Sequence, residues 1–353
     1  MDDLEGQASI ATATHGQLTD GLLVQATARD LDVLRLADRD GSGLVFSGEG
    51  AIAAARAARR RGFDRPVLVD RRRYAGNSRV RGTAPLSSRW LADQRDLGVT
   101  AVLTDSGYIG ACDEEALTSV LGGAASASAA GEAVTAVLPL HMRWLRGDLK
   151  KLIYEVLRHE VPVALVLEHP KDPLGTRVAV AGLIELLRTP APVSLLSSDV
   201  SSLGAIAFGA RWAAVGMRTN LRHLYPKTDS DRGWHPSGAH SALVDPVLSI
   251  VTVDKIFAAW AATPDAPVWR CPCPTCHGRT LDWLQTASEV EVNAHTFELL
   301  MRRRDDLVRV EPGRLREQSW REACRHALYR YEELGLEGLG WDPPGFLKAW
   351  TSG

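Results

Sequence analysis

Residues 162–217 read PVALVLEHPKDPLGTRVAVAGLIELLRTPAPVSLLSSDVSSLGAIAFGARWAAVGM. Three apolar runs, 162–168, 192–199 and 212–217, alternate here with two helix-like stretches, 178–187 and 203–210. Continuous apolar runs of this length suit strands buried on both faces, and such strands belong to parallel sheets. A strand that ends in a polar residue and leads into a helix is one half of a βαβ unit. Working toward the N-terminus, 44–47, 66–70, 100–105 and 135–141 repeat the pattern. At 149–157, Leu149, Leu152, Ile153, Val156 and Leu157 fall on one helix face. Seven strands are thereby predicted, and an eighth is expected from 33–36 or 248–253. The α/β class follows, with a closed (β/α)8 TIM-like barrel as the expected architecture and an open doubly wound sheet as the alternative.

Two stretches interrupt the rhythm. Residues 122–133 (GGAASASAAGEA) are low in complexity and read as a flexible loop. Residues 227–246, rich in Asp, Gly, Ser, Pro and His, read as a long surface loop. The expected division is residues 1–40 as N-terminal extension and barrel start, 41–260 as barrel, and 261–353 as a zinc-binding and helical subdomain.

With 45% apolar and 24% charged residues the 353-residue chain has the composition of a globular protein. No apolar stretch reaches the length of a membrane span, and the acidic start MDDLEGQ has no signal-peptide form, so a cytoplasmic location without membrane association is expected. The net charge of −2 gives no global case for nucleic acid, but ten arginines crowd into 56–81, and Arg302, Arg303 and Arg304 form a second cluster. Such clusters either track phosphates or form solvated helix faces.

Three of the five cysteines fall within six residues, in CPCPTC at 271–276. This C-x-C-x-x-C spacing lets Cys271, Cys273 and Cys276 converge on one tetrahedral ion, and such clustering reads as metal binding. His277 is too close to complete the tetrahedron. His295, eighteen intervening residues on and at the start of the helix-like run 295–306, can fold back to give a closed structural zinc site, one per chain.

These residues resemble the tRNA-guanine transglycosylase superfamily, whose members carry C-x-C-x-x-C and then a helix-leading His after the last strands of a (β/α)8 barrel. The counterpart of that helix is 293–300 (NAHTFELL). LTDSG at 103–107 is similar to the family's L-T-D-S-G-G turn at the third strand, and 192–218 has the rhythm of its last two strands. The resemblance implies exchange of guanine for a 7-deazaguanine base in DNA or tRNA, through an aspartate nucleophile and a second aspartate that moves protons. It makes Asp105 the acid/base group and sets Ser106, Gly107 and Tyr108 beside the base, with Tyr108 where a second glycine is usual. It also implies pairing, as a homodimer or heterodimer, through the zinc subdomain. The last strand departs from the pattern, because Ala213 or Ala214 stands where the nucleophile is expected.

Read without the family, the predicted strand ends supply Glu49, Asp70, Asp105, His141, Glu168, His169, Asp199 and Arg218 to a barrel mouth, where barrel enzymes carry their chemistry. Asp199 is the first candidate for a relocated nucleophile and Glu168 the second; the plainer role of Asp199 is a helix cap. Arg218 can meet a phosphate or carboxylate. Three functions follow as expectations: a base-exchanging transglycosylase, a non-catalytic zinc-bearing subunit or nucleic-acid-binding homologue, and a barrel enzyme acting on a small molecule.

Overall fold

The computed structural model describes residues 18–131, 133–227 and 240–352. Eight parallel strands alternate with helices: β1 (Gly21–Ala26), β2 (Leu44–Ser47), β3 (Val67–Asp70), β4 (Val102–Leu103), β5 (Val134–His141), β6 (Val163–Glu168), β7 (Val193–Ser198) and β8 (Trp212–Gly216). Their order is β3-β2-β1-β8-β7-β6-β5-β4. The remaining seam is bridged where Thr100 N donates to Val67 O at 3.1 Å and Val67 N to Thr100 Oγ1 at 3.3 Å. The sheet is therefore a nearly closed barrel of the TIM type.

All seven expected strands are present, although 100–105 contracts to the two residues of β4. The eighth strand is β1, Gly21-Leu-Leu-Val-Gln-Ala26, which pairs with both β2 and β8. Neither expected source supplies it. Residues 31–37 form short helical turns, and 249–252 join a separate hairpin. The stretch read as a flexible loop, 122–133, is largely helix: Glu114–Ala129 is capped by Asp113, whose side chain accepts from Ala116 N, and buries Leu117, Val120, Leu121 and Ala124. Of 227–246, residues 228–239 lie outside the described residues.

The barrel interior is filled by Leu23, Val45, Leu68, Leu103, Val137, Ala164, Val166, Leu196, Trp212 and Ala214, with Leu18, Tyr74 and Leu224 in the same cluster. One alternation step beyond this apolar layer, the strands offer Gln25, Ser47, Asp70, Asp105 and Glu168, all buried. The mouth is thus a polar layer over an apolar plug.

Contacts divide the chain into two units: one running to Pro173 and over Val178–Lys227, the other Leu174–Arg177 with the chain from 228 onward. The second unit holds the antiparallel pair β9 (Ser241–Val244) and β10 (Ser249–Thr252) and the helices Val253–Ala262, Glu289–Val308, Arg314–Glu333 and Gly345–Thr351. Trp320 stacks on Phe346 and meets Trp350 edge-on within its core. Asp245 pairs with Arg302 and Arg303, tying helix Glu289–Val308 to the hairpin. Among the described residues, no helix is long and apolar enough to cross a membrane.

Candidate metal centre and barrel mouth

Three of the candidate metal ligands, Cys271, Cys273 and Cys276, lie on a tight knuckle. Cys271 N accepts no slack: it donates to Arg279 O at 3.0 Å, and Gly278 N returns to Cys271 O at 3.0 Å. His277 takes a positive φ of 54°, which turns the chain back after Cys276. His295 comes from helix Glu289–Val308, which starts with a capping box between Ser288 and Glu291. The helix begins six residues before His295, so the histidine sits in its second turn rather than opening it as the sequence suggested.

The four ligand atoms lie within 4.8 Å of one another. His295 Nδ1 is 3.6, 3.6 and 3.2 Å from the sulfurs of Cys271, Cys273 and Cys276. A tetrahedral ion with ordinary Zn–S and Zn–N lengths separates such atoms by about 3.6 Å. His295 Nε2 donates to Leu243 O at 2.8 Å, which leaves Nδ1 free to ligate. Trp283 Nε1 and Cys276 N donate to the sulfurs of Cys276 and Cys273. Mutual hydrogen bonds among the sulfurs lower the Cys273 thiol and raise that of Cys271. The group is buried, closed and matched to a metal ion such as zinc, and it ties the knuckle to β9 and helix Glu289–Val308 within the second unit.

The barrel mouth lies in the first unit. Asp105 follows β4, the fourth strand rather than the third. Its side chain is 0% exposed and accepts from Arg71 Nη1 at 2.8 Å, Arg73 Nη1 at 3.0 Å and Ser87 N at 2.9 Å. Ser106 Oγ pairs with Thr104 Oγ1 at 2.7 Å. Gly107 lies under the loop 71–81: a Cβ there would meet Arg81 O at 2.3 Å, so only glycine lets that loop pass. Tyr108 N donates to Val80 O, and the tyrosine ring lies 3.6 Å from the Arg79 guanidinium. Arg79 and the Tyr108 hydroxyl both bond the Glu168 carboxylate. Burial and that carboxylate push the Tyr108 phenol above its usual range.

The other candidates are also engaged. Asp199 accepts from Ser201 N at 2.9 Å and Ser201 Oγ at 2.8 Å, a local turn before helix Ser202–Ala207, whose N-cap is Ser201 rather than Asp199. Arg218 pairs with Asp30 at 2.7 Å. Burial alone would raise the Asp30 carboxyl, but its bonds to Arg218 and Thr27 outweigh this and lower it. Glu49 is exposed. His141 and His169 each accept a backbone N–H two residues on. Of the two alanines at the expected nucleophile position, Ala214 faces the barrel interior, fully buried in the cluster that includes Tyr74 and Leu224.

Sequence reasoning missed several members of the mouth. Gln25 donates to Ser47 and Ser197, and its Oε1 takes Ser197 N, steadying a positive φ of 55° where β7 bulges. Asp70, which the sequence already set at the mouth, accepts from Tyr74 OH at 2.6 Å and Arg72 N at 3.0 Å, while complete burial raises its carboxyl. His223 is buried, its Nε2 without a hydrogen-bond partner among the described residues, and desolvation drops its pKa to about 4 despite Asp199 nearby. The alternation of β1 carried the signal for Gln25. His223 gave none, because Leu224 pairs with β6 by backbone bonds to Leu167 and His169.

Compared with protein-family models and with curated proteins, the chain gives no match to either.

Proposed function

We propose that the chain is a transglycosylase-like barrel with a structural zinc ion, one that binds a polynucleotide, DNA or tRNA, without exchanging its bases. The zinc would be held by Cys271, Cys273, Cys276 and His295 and would supply folding energy rather than chemistry. The observation that carries the reading is Ala214: where the resembled family is expected to have its nucleophile, the last strand has a methyl group, buried in one cluster with Tyr74 and Leu224. A methyl group cannot form a glycosyl ester.

The remaining carboxylates support the same reading. A general acid/base must reach its substrate by a hydrogen bond. Asp105, however, is engaged by two guanidiniums and a backbone N–H, Glu168 by Arg79 and Tyr108, and Asp199 by Ser201. Binding is supported by the arginines of 56–81. Arg56, Arg60 and Arg61 are exposed around helix Ala51–Arg60, and five more, Arg71, Arg72, Arg73, Arg79 and Arg81, stand on the loop over the mouth. A heteromeric role beside a catalytic subunit, through the zinc-bearing unit, fits a chain that keeps the metal ligands and lacks the nucleophile.

The test incubates metal-loaded protein with labelled guanine and, separately, duplex DNA, single-stranded DNA and tRNA. The expected result is salt-sensitive binding with no incorporation. Incorporation that disappears in Asp105→Asn would overturn the reading and restore base exchange.

A further inference from the structure

The pairing at Asp105 is unbalanced. Two guanidiniums, those of Arg71 and Arg73, meet the same oxygen, Oδ2, and each does so through a single nitrogen, Nη1. The other oxygen, Oδ1, takes Ser87 N at the start of helix Ser88–Asp96, whose aligned peptide dipoles add positive potential. One negative charge is therefore faced by two positive charges and a helix N-terminus. Arg73 Nη1 also bonds the backbone oxygens of Pro85 and Asp105. Among the described residues, no protein acceptor uses Nε or Nη2 of Arg71 or Arg73. The Arg71 side chain is 45% exposed, and its guanidinium lies 5.8 Å from the Trp90 ring. Between them, Arg72 spends Nη2 on Asn220 O, and its Nε is buried without a partner.

We infer that Arg71 and Arg73, held side by side by Asp105, form a receptor for a phosphate group at the edge of the barrel mouth. A guanidinium offers parallel N–H donors matched to two oxygens of a phosphate. Two guanidiniums anchored by one nitrogen each keep their remaining donors for a tetrahedral anion that bridges them. A planar carboxylate is satisfied by one fork and has less to gain. Asp105 then acts as a positioning residue: it keeps two like charges together that would otherwise move apart. The phosphate is either a polynucleotide phosphodiester or a phosphomonoester of a small molecule. The inference rests on the polynucleotide reading only for the first source.

The full-length, metal-loaded protein is titrated with inorganic phosphate by calorimetry and with a labelled single-stranded DNA oligonucleotide by anisotropy. The salt series runs from about 50 to about 200 mM. The variants are Arg71→Gln, Arg71→Lys and Arg71→Gln/Arg73→Gln, with Lys150→Gln as an exposed control for loss of charge. The double variant is expected to weaken the oligonucleotide at least tenfold and to flatten the salt slope by about 1.4 for two lost contacts. Lys150→Gln is expected to leave affinity unchanged. Arg71→Lys keeps the charge and loses the fork, so it is expected to weaken inorganic phosphate severalfold; it decides the matter if the double variant fails to fold. Arginine-dependent binding of phosphate without oligonucleotide binding supports the receptor with a small ligand and overturns the polynucleotide reading. Oligonucleotide binding that is equal in wild type and double variant overturns the receptor and leaves that reading standing. Binding of neither probe overturns both.

Discussion

Replacing Asp105 by asparagine separates a structural carboxylate from a catalytic one. Asparagine keeps one oxygen, enough for Ser87 N–H, but puts an amide N–H2 or a neutral oxygen against Arg71 and Arg73. Breaking one partner of a buried ion pair costs about 3–5 kcal/mol, because the other charge is left uncompensated. Arg71 is 45% exposed and partly screened by water, whereas Arg73 is only 23% exposed, so the lower end, about 3 kcal/mol, is the expected cost. For a unit of this size that is a fall in Tm of roughly 6–12 °C. Scanning calorimetry measures it, with Asp199→Asn beside it. That variant weakens only the local bonds to Ser201 and is expected to cost about 1 kcal/mol. If Asp105→Asn melted within about 2 °C of wild type, the two pairs would contribute nothing. The argument that Asp105 is locked away from chemistry would then fail.

Three further outcomes are expected. Chelation should release one metal ion per chain and expose Cys271, Cys273 and Cys276 to a thiol reagent that at first reaches only Cys112; His295→Ala should do the same without chelator, and unchanged thiol counts would refute the site. His223 titrates near 4 when folded because burial disfavours its charged form, against 6.5 in the unfolded chain. The unfolded chain therefore takes up the proton first: stability is full above about pH 6.5 and declines toward pH 4, by about 2 kcal/mol near pH 5. Urea unfolding of His223→Gln should lack this decline, and an equal decline in both proteins would rule out His223 as its source. Gly107→Ala should force the loop 71–81 away from its bonds to Tyr108 and speed tryptic cleavage there, at a cost of about 1–3 kcal/mol. An unaltered cleavage rate would show that the close approach to Arg81 is not a constraint.

The barrel was legible where strands are mostly apolar, as in β5, β6 and β8. β1 escaped because Gln25 is polar, and nothing nearby announces that Ser47 and Ser197 will satisfy it. Helix Glu114–Ala129 escaped for the opposite reason: its alanines, serines and glycines resemble a linker, yet Leu117, Val120 and Leu121 fall on one buried face. The metal ligands were readable because spacing alone brings three sulfurs together, and the fourth ligand needed only a helix that folds back. The arginines were not readable in the same way. Their partners Asp105, Asp113 and Glu168 lie up to 89 residues away, so a cluster that reads as a solvated or phosphate-tracking surface is in large part a set of ion pairs. The mouth carboxylates were located correctly at the strand ends, but their occupancy by arginine, tyrosine and serine is tertiary information.

The pairing of β1 with β8 has a consequence for biosynthesis. About 190 residues separate Gly21 from its partner Trp212. At about 5–20 residues per second, a ribosome needs roughly 10–40 s to deliver the second strand after the first. Throughout that interval β1 can pair with β2 but keeps its other edge open, and an open apolar edge invites strands from neighbouring nascent chains. The N-terminal half of the barrel is therefore the part that most needs chaperone cover, and slow codons placed before β8 would lengthen the exposure.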